Sequence, residues 1–470
     1  MGSRTGNRAR RIACLALAGA LAVAGCSEPE DDGSAPGRTS VPDEDEVTAA
    51  TDPPGTRSIT PSSSAPSAES TVANDGSIVA AYAGQSWFLG EMPSSATPAD
   101  DTLEPILLGM INNEDTPFGS YPEVRAAAEA AAEWVNTELG GVDGRPIELR
   151  TCISRFDVEQ SQQCALELER AGVIAFVGGV DVTSNGSYPV IEQNGLPVVG
   201  GIPATLTEQR SPNAFFFSGG IAGGATAMVA HAAQSGAERV FLAFGELEPF
   251  EVAAREYAAV VGEHLGLEVE LVPFSFATAD YLPILTKARD VDAQAVIVLA
   301  ADAACVPLME TASALELDAT IYLFGSCAAE SILDAAGEAA LGVIFNSEGP
   351  VGEDDIEGAI FQDVIDRYAT EPAGAAGTVG FRGLMNLYAM LRELGGDDVT
   401  SEGLLDLARN SVDEPSFWGH PYTCDGRQVP GLPALCAPQQ ILFTFDAVGQ
   451  DPVEITDWIP TDELFAAALE

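Results

Sequence analysis

The chain reads EPILLGMINNEDTPFGSYPEVRAAAEAAAEWVNTELGGVDGRPIELRT from residue 104 to residue 151. The runs Ile106–Ile111 and Ile147–Thr151 are typical of strands, whereas Tyr121–Leu139 repeats small and apolar residues at helical spacing. A strand, a helix and a second strand in this order form a unit in which the two strands are parallel. This stretch therefore predicts an α/β fold built on a parallel sheet.

The helix of this unit has recognisable ends. Ser120 and Glu123 match a capping box, and Pro122 stands in the first turn, where its missing N–H removes no helical hydrogen bond. Small and apolar residues recur on one face at Val124, Ala128, Ala131 and Val135. We expect the helix to end before Gly140-Gly141.

The same alternation fills most of the remaining chain. A first set continues with helix Val158–Arg170, strand Val173–Val177, helix Pro189–Gln193 and strand Leu196–Gly200. A second set contains a helix to about Ser235, strand Arg239–Phe244, helix Phe250–Leu265, strand Glu268–Pro273, helix Tyr281–Arg289, strand Ala295–Ala300, helix Ala304–Leu315 and strand Thr320–Phe324. A strand at Gly342–Ser347 then precedes helices Ile356–Tyr368 and Phe381–Leu394. This order predicts two successive doubly wound units and a late return of the chain to the first of them, so the hinge has several crossings.

The N-terminus resembles an export signal of the lipoprotein type. Four arginines precede a short apolar run that ends in Val23-Ala24-Gly25-Cys26, and Cys26 is the expected lipidation site. An ordinary cleaved signal with an incidental cysteine is the alternative interpretation. The following residues, to about Ser70, are mostly Ser, Thr, Pro, Asp, Glu and Gly, a composition that predicts a disordered tether. We therefore expect an extracytoplasmic protein anchored to the outer face of the cell membrane by lipid alone.

Charge and cysteine content narrow the choice of partners. With 71 acidic and 21 basic residues, the net charge of −50 argues against binding to nucleic acid or to an anionic membrane surface. Six cysteines lie beyond the signal and the lipidation site, which suggests disulfides in an exported chain: Cys152, Cys164, Cys305, Cys327, Cys424 and Cys436. Fifteen pairings are possible, and pairing in sequence order gives short loops. No cysteine or histidine spacing is typical of a metal site, so we expect no metal.

The order of motifs over most of residues 104 to 445 resembles the leucine/isoleucine/valine-binding branch of the type I periplasmic solute-binding proteins. The motifs are residues 113–119 (NEDTPFG), residues 134–136 (WVN) before 140–149 (GGVDGRPIEL), residues 176–179 (FVGG), residues 194–199 (NGLPVV), and residues 281–285 (YLPIL) before 293–296 (AQAV). The resemblance implies two Rossmann-like lobes that close around one small solute, which is then passed to the membrane permease of an ABC importer. It implies no cofactor.

The resemblance also implies the loops that hold the ligand. In the first lobe they are residues 116–120, 181–184 and 201–205, with Phe118, Asp181, Thr183, Ser184, Ala204 and Thr205 as candidate contacts. A helix N-cap is the alternative role for each hydroxyl. In the second lobe the candidates are Phe250, Asp302 and Ser326, and core packing is the alternative role for Phe250. The tyrosine expected near Ala301 and the acidic residue expected near Ser326 are both missing, so Asp302 or Asp181 is left to pair with a ligand ammonium group.

Strand order suggests one further feature of the second lobe. Cys305 and Cys327 each follow a strand of the second set, and a bond between them would join two adjacent loops of the cleft.

These observations predict the following division of the chain. Residues 1–25 are a signal peptide, 26–76 a lipid-anchored linker, 77–103 a segment preceding the lobes, 104–218 and 348–412 the first lobe, and 219–347 and 413–460 the second lobe. The segment before the lobes is too apolar for a linker, and the resemblance does not reach it.

Two other functions are weighed against solute transport. An enzyme is disfavoured because the sequence has three histidines without metal spacing, no GxSxG motif and no GK[ST] phosphate loop. A ligand-sensing receptor of the same fold, acting in signalling instead of transport, remains open because both roles use the same binding domain.

Overall fold

The computed structural model describes residues 76–87, 90–91, 94–116, 120–275, 280–352, 355–372 and 376–469. The predicted signal peptide, Cys26, the linker up to residue 75 and Phe118 lie outside the described residues. The described part opens with helix α1 (Ile78–Ala81) and the short antiparallel pair β1 (Ser86–Trp87) and β2 (Gly90–Glu91).

The first lobe is built on a parallel sheet of five strands. They are β3 (Ile106–Asn112), β4 (Ile147–Ile153), β5 (Ala175–Val177), β6 (Val198–Val199) and β7 (Ala214–Phe215), in the spatial order β4-β3-β5-β6-β7. The helices are α2 (Pro122–Thr137), α3 (Val158–Arg170), α4 (Tyr188–Gln193) and α5 (Leu206–Gln209). The second strand in the chain, β4, lies at the edge of the sheet, and the first strand, β3, lies beside it. This order is typical of a doubly wound sheet, as predicted.

Helix α2 packs as its sequence predicts, but it begins differently. Val124, Ala128, Ala131 and Val135 are fully buried. The predicted capping box does not form: the N-cap residue is Tyr121, and Ser120 instead accepts a hydrogen bond from the backbone N–H of Asp115 at 3.2 Å. The Ser120 hydroxyl, which the sequence pattern assigned to the helix, therefore binds within the preceding loop.

The second lobe repeats the same winding. Its elements are α6 (Gly220–Gln234), β8 (Arg239–Gly245), α7 (Glu248–Val252), α8 (Ala259–His264), β9 (Glu268–Phe274), α9 (Leu282–Asp290), β10 (Ala295–Leu299), α10 (Cys305–Ala314), β11 (Thr320–Leu323), α11 (Glu330–Ala336) and β12 (Ile344–Ser347). The parallel strands lie in the order β9-β8-β10-β11-β12. The helix predicted at Phe250–Leu265 is interrupted by a π-helical turn, Ala253–Ala258, between α7 and α8.

Alternate residues of β8 enter different cores. Val240 and Leu242 pack in one hydrophobic cluster, and Phe241 and Ala243 pack in another. Successive side chains of a strand point to opposite faces, so this sheet carries helices on both sides.

The chain returns to the first lobe after β12 and then goes back to the second. Helices α12 (Ile356–Tyr368), α13 (Gly377–Leu394) and α14 (Ser401–Asn410) share the core of α2, and β13 (Ile441–Thr444) and β14 (Val453–Glu454) extend the second sheet by antiparallel pairing. Helix α15 (Thr461–Leu469) packs against α8. Three segments therefore cross between the lobes, after β7, after β12 and after α14.

The three disulfides of the described residues pair cysteines in sequence order. They are Cys152–Cys164, Cys305–Cys327 and Cys424–Cys436. The second joins the start of α10 to the turn after β11, as the strand order suggested.

The segment before the lobes is fastened to the first lobe. Glu138, at the C-terminal end of α2 and 3% exposed, accepts hydrogen bonds from the backbone N–H of Val79 at 3.0 Å and from the Tyr368 hydroxyl at 2.7 Å, and pairs with Arg367 at 3.0 Å. Because α2 follows β3, its C-terminal end lies at the edge of the sheet opposite the carboxyl ends of the strands. Tyr82 adds a hydrogen bond to Asp363 of α12 at 2.9 Å.

Candidate functional site

The loops after β5 and β6 touch each other through backbone atoms. A Cβ added at Gly178 would lie 1.8 Å from the carbonyl oxygen of Gly200, and one at Gly200 would lie 2.4 Å from Cα of Gly383 in α13. Gly200 also has a positive φ of 73°. Only glycine permits this approach, which holds the two predicted first-lobe loops side by side at the carboxyl edge of the sheet.

The carboxylate of Asp181 binds groups within its own loop, which follows β5. Asp181 is buried, and its Oδ1 accepts from the backbone N–H and the hydroxyl of Thr183 at 3.1 and 2.8 Å. Its Oδ2 accepts from the hydroxyls of Ser161 at 2.6 Å and Ser187 at 3.1 Å. Four donors to one carboxylate fix the shape of the loop and occupy the hydroxyl of Thr183 as well.

Ser184 and Thr205 join the two first-lobe loops. Their hydroxyl oxygens lie 2.6 Å apart, and both residues are buried. Thr205 also caps α5 in a complete capping box with Glu208, so the N-cap role considered for it is present, and Ala204 beside it is half-buried. Burial raises the pKa of Glu208 well above its usual value, and the charge of Asp181 adds to that effect.

The second-lobe loops present aromatic and polar groups together. Phe250 and Phe324 are half-buried and stack with ring centroids 6.3 Å apart. Asp302 is half-buried in a short 3-10 turn after β10, and Ser326 is exposed in the turn after β11. The Cys305–Cys327 bond ties these two turns together, so it brings the sequence-predicted residues Asp302 and Ser326 into one part of the lobe.

The negative charge of Asp302 also acts on two residues of the first lobe that were not among the predicted contacts. Burial raises the pKa of Tyr121 to about 12, and the negative charge of Asp302 contributes to the shift. Burial also raises the pKa of Glu123, again with a contribution from Asp302. Tyr121 and Glu123 begin α2, which starts at the carboxyl end of β3. The only sequence signal for them was their position in the loop and helix after a cleft strand.

A partly buried ion pair lies at the hinge. Nη1 of Arg382 in α13 is 3.5 Å from Oε2 of Glu348, which follows β12, and Glu348 also accepts a hydrogen bond from the hydroxyl of Ser218. Burial raises the pKa of Glu348, and the guanidinium of Arg382 opposes the shift. A small cavity beside Arg382 is lined in part by Gly200, Gly201 and Ile202. No local pattern indicates this pair, because its members are 34 residues apart in the chain.

The predicted loops of each lobe thus lie at the carboxyl ends of the strands of that lobe. Ligands of doubly wound sheets bind beyond the carboxyl ends of the strands, where these loops lie. The family model described as periplasmic binding protein matches residues 105–429, which is more than half of the chain. The chain belongs to the periplasmic binding protein family.

Solved structures of other family members share the type I fold. One is a solute-binding protein of an ABC transporter from R. palustris in complex with 4-hydroxybenzoate, with 17% sequence identity, a TM-score of 0.64, and 76% of this chain and 97% of that chain covered. A leucine-binding protein from Thermotoga maritima matches with 17% identity and a TM-score of 0.61 over 76% of this chain and 99% of that chain. A fatty acid ABC transporter substrate-binding protein from Thermomonospora curvata matches with 17% identity and a TM-score of 0.64 over 78% and 96% of the two chains. No curated protein sequence matches this periplasmic binding protein significantly.

Family membership sets the general role of the chain. Periplasmic binding proteins act outside the cytoplasm, where they bind solutes and do not catalyse a reaction. Among the described residues, no helix is both long and apolar enough to cross a membrane. In the same part of the chain, His, Cys, Asp and Glu side chains nowhere gather in a group of three or more that could hold a metal ion.

Proposed function

We propose that this protein is the lipid-anchored solute receptor of an ABC importer, which captures one small polar solute between its lobes and delivers it to the permease in the membrane. The observation that carries the proposal is that polar loops of the first lobe and aromatic loops of the second lobe lie at the carboxyl edges of two doubly wound sheets. Closure of two lobes around a ligand buries it on all sides. The domain boundaries given above, with residues 26–76 as the tether, belong to the same proposal.

The ligand class we propose is an amino acid or a related amide or carboxylate. In the first lobe, Ser184, Ala204 and Thr205 would hold its carboxylate or amide through hydroxyl and backbone N–H groups, with Asp181 and Thr183 shaping the loop from behind. Phe118 would also contact the ligand. In the second lobe, Phe250 and Ser326 would cover it. Asp302 would pair with an ammonium group. Support comes from the position of Asp302, which is half-buried in the turn after β10 and therefore does not lie in a core.

A thermal-shift screen tests the proposal. Residues 71–470 are unfolded and refolded to remove bound ligand and are then screened against amino acids, amides, aromatic acids and small sugars. A ligand at one hundred times its dissociation constant adds about 2.7 kcal/mol to the free energy of unfolding, which gives a clear rise in Tm. If no solute of any class shifts the melting curve, the proposed capture of a small solute is wrong.

Asp302→Asn separates amino acids from simple carboxylates. We expect the variant to lose affinity for a solute with an ammonium group and to retain affinity for the same solute without it. Isothermal titration of both solutes measures the difference, and equal losses would contradict the role of Asp302.

The lipid anchor requires its own test. In the full-length chain expressed in a bacterium, we expect metabolic labelling with an alkyne fatty acid to mark the wild-type protein and not Cys26→Ser. A labelled variant would show that another residue carries the lipid.

A further inference from the structure

The third crossing between the lobes contains a loop that a disulfide closes at its base, between Cys424 and Cys436. The base is fastened to the first lobe. The backbone N–H of Phe216, which follows β7, donates to the backbone oxygen of Ala434 at 2.8 Å, and the N–H of Cys436 donates back to Phe216 at 2.9 Å. The N–H of Ala434 donates to the backbone oxygen of Gln209, at the end of α5, at 3.1 Å. The base therefore extends the edge of the first sheet beyond β7.

The tip of the same loop lies against the second lobe. The Tyr257 hydroxyl donates to the backbone oxygen of Pro430 at 2.7 Å, and a Cβ at Gly431 would lie 3.4 Å from that hydroxyl. Tyr257 is buried, and its ring packs edge-on against Phe465 of α15 with centroids 5.5 Å apart. It lies in the π-helical turn Ala253–Ala258, and such turns are rare and are frequent at functional sites.

Apolar side chains of the loop join a core that both lobes share. Val429 and Leu432 are completely buried in one hydrophobic cluster. The same cluster contains Leu206 of α5 in the first lobe and Tyr257 in the second. Protein cores are close-packed, so withdrawal of these side chains would leave an unfilled space. The tip therefore cannot leave the second lobe without a loss of packing.

We infer that residues 424–436 form a strut that sets the relation between the two lobes, and that Tyr257 is the positioning residue that holds its tip. The disulfide restricts the conformations of the loop, because it joins the two ends of a short segment. The lobes can then change their relation only if the strut bends or its tip leaves Tyr257. This role goes beyond solute capture and is the same for any solute.

Distances between the lobes of the ligand-free protein test the inference. Two histidines placed four residues apart on the exposed face of a helix bind Cu²⁺ as a spin label. Glu133→His, Thr137→His label α2 of the first lobe, and Glu310→His, Ala314→His label α10 of the second; all four positions are exposed. Double electron–electron resonance then measures the distribution of distances between the two Cu²⁺ ions.

Removal of the disulfide should release the strut. In the labelled protein, we expect Cys424→Ala, Cys436→Ala to broaden the distribution of distances. Cys152→Ala, Cys164→Ala is the matched control, because it opens a bond of the same sequence separation, 12 residues, within the first lobe. The control should leave the distribution unchanged. An unchanged distribution in the first variant, or an equal broadening in the control, would overturn the inference.

Tyr257→Phe removes only the hydroxyl and tests the tip even if the cysteine variant does not fold. We expect the amides of residues 428–436 to exchange with solvent about five-fold faster, as for the loss of one typical hydrogen bond. The readout is the mass increase of that peptide under native conditions.

Tyr322→Phe is the control for this variant. Tyr322 is buried in the same lobe, and its hydroxyl lies 2.9 Å from Nδ1 of His231, so the substitution removes a comparable contact outside the strut. Unchanged exchange of residues 428–436 in Tyr257→Phe, or equal acceleration in Tyr322→Phe, would contradict the role of Tyr257. Since both measurements are made without a solute, a failure of the proposed ligand class does not affect them.

Discussion

Removal of the Cys305–Cys327 bond should weaken both the fold and the cleft. The bond closes a sequence separation of 22 residues, for which the chain-entropy relation gives about 3.4 kcal/mol of stabilisation. Cys305 is fully buried and Cys327 is 5% exposed, so alanine is the suitable replacement because it buries no new hydroxyl. We expect Cys305→Ala, Cys327→Ala to lower the free energy of unfolding by about 3 kcal/mol.

Guanidinium unfolding followed by circular dichroism measures the change, and Cys152→Ala, Cys164→Ala provides the matched control. The control bond closes a separation of 12 residues and corresponds to about 2.8 kcal/mol. Both double variants should therefore lose similar stability. Only the first should also lose solute affinity, because it frees the turns that carry Asp302 and Ser326. A loss of stability below about 1 kcal/mol in the first variant, against the expected 3, would refute the reasoning.

Three smaller changes can be checked by thermal or chemical unfolding. Gly200→Ala should lower the free energy of unfolding by more than about 2 kcal/mol, because its Cβ would meet Cα of Gly383; full stability would contradict the close approach. Thr205→Ala should lose about 1 kcal/mol with the cap of α5, and Thr205→Ser, which keeps a hydroxyl, should lose less. The raised pKa of Glu208 means that the folded state keeps a proton that the unfolded state releases above its ordinary pKa of 4.5, so Tm should fall as pH rises from 5 to 8. Glu208→Gln should make that fall smaller, and an identical pH profile would argue against a buried, protonated carboxyl.

The sequence predicted the bounds of an element well where a capping residue and a periodic apolar face mark it. Helix α3 spans Val158–Arg170 and α12 spans Ile356–Tyr368, as predicted, because each has an aspartate N-cap and a periodic apolar face. The strand predicted at Leu196–Gly200 is reduced to Val198–Val199, because Gly200 leaves the sheet to approach α13.

The candidate site was predictable in its loops but not in its contacts. The order of elements predicts that Asp302 and Ser184 follow the carboxyl ends of parallel strands, and the structure has both residues in loops after such strands. The donors to Asp181 include Ser161, which is 20 residues away on α3, and no local pattern encodes such a contact. The pair of Arg382 and Glu348 likewise forms only when the chain has crossed between the lobes and returned.

The attachment of the N-terminal segment has a mechanical consequence. A pull on the chain at Ser77 enters the molecule through the bonds of Val79 to Glu138 and of Tyr82 to Asp363. Both acceptors lie on helices of the first lobe, and Glu138 stands at the end of α2 farthest from the cleft. The load therefore enters the first lobe and does not pass through the three crossings, so we expect tension on a tether to leave the relation between the lobes unchanged.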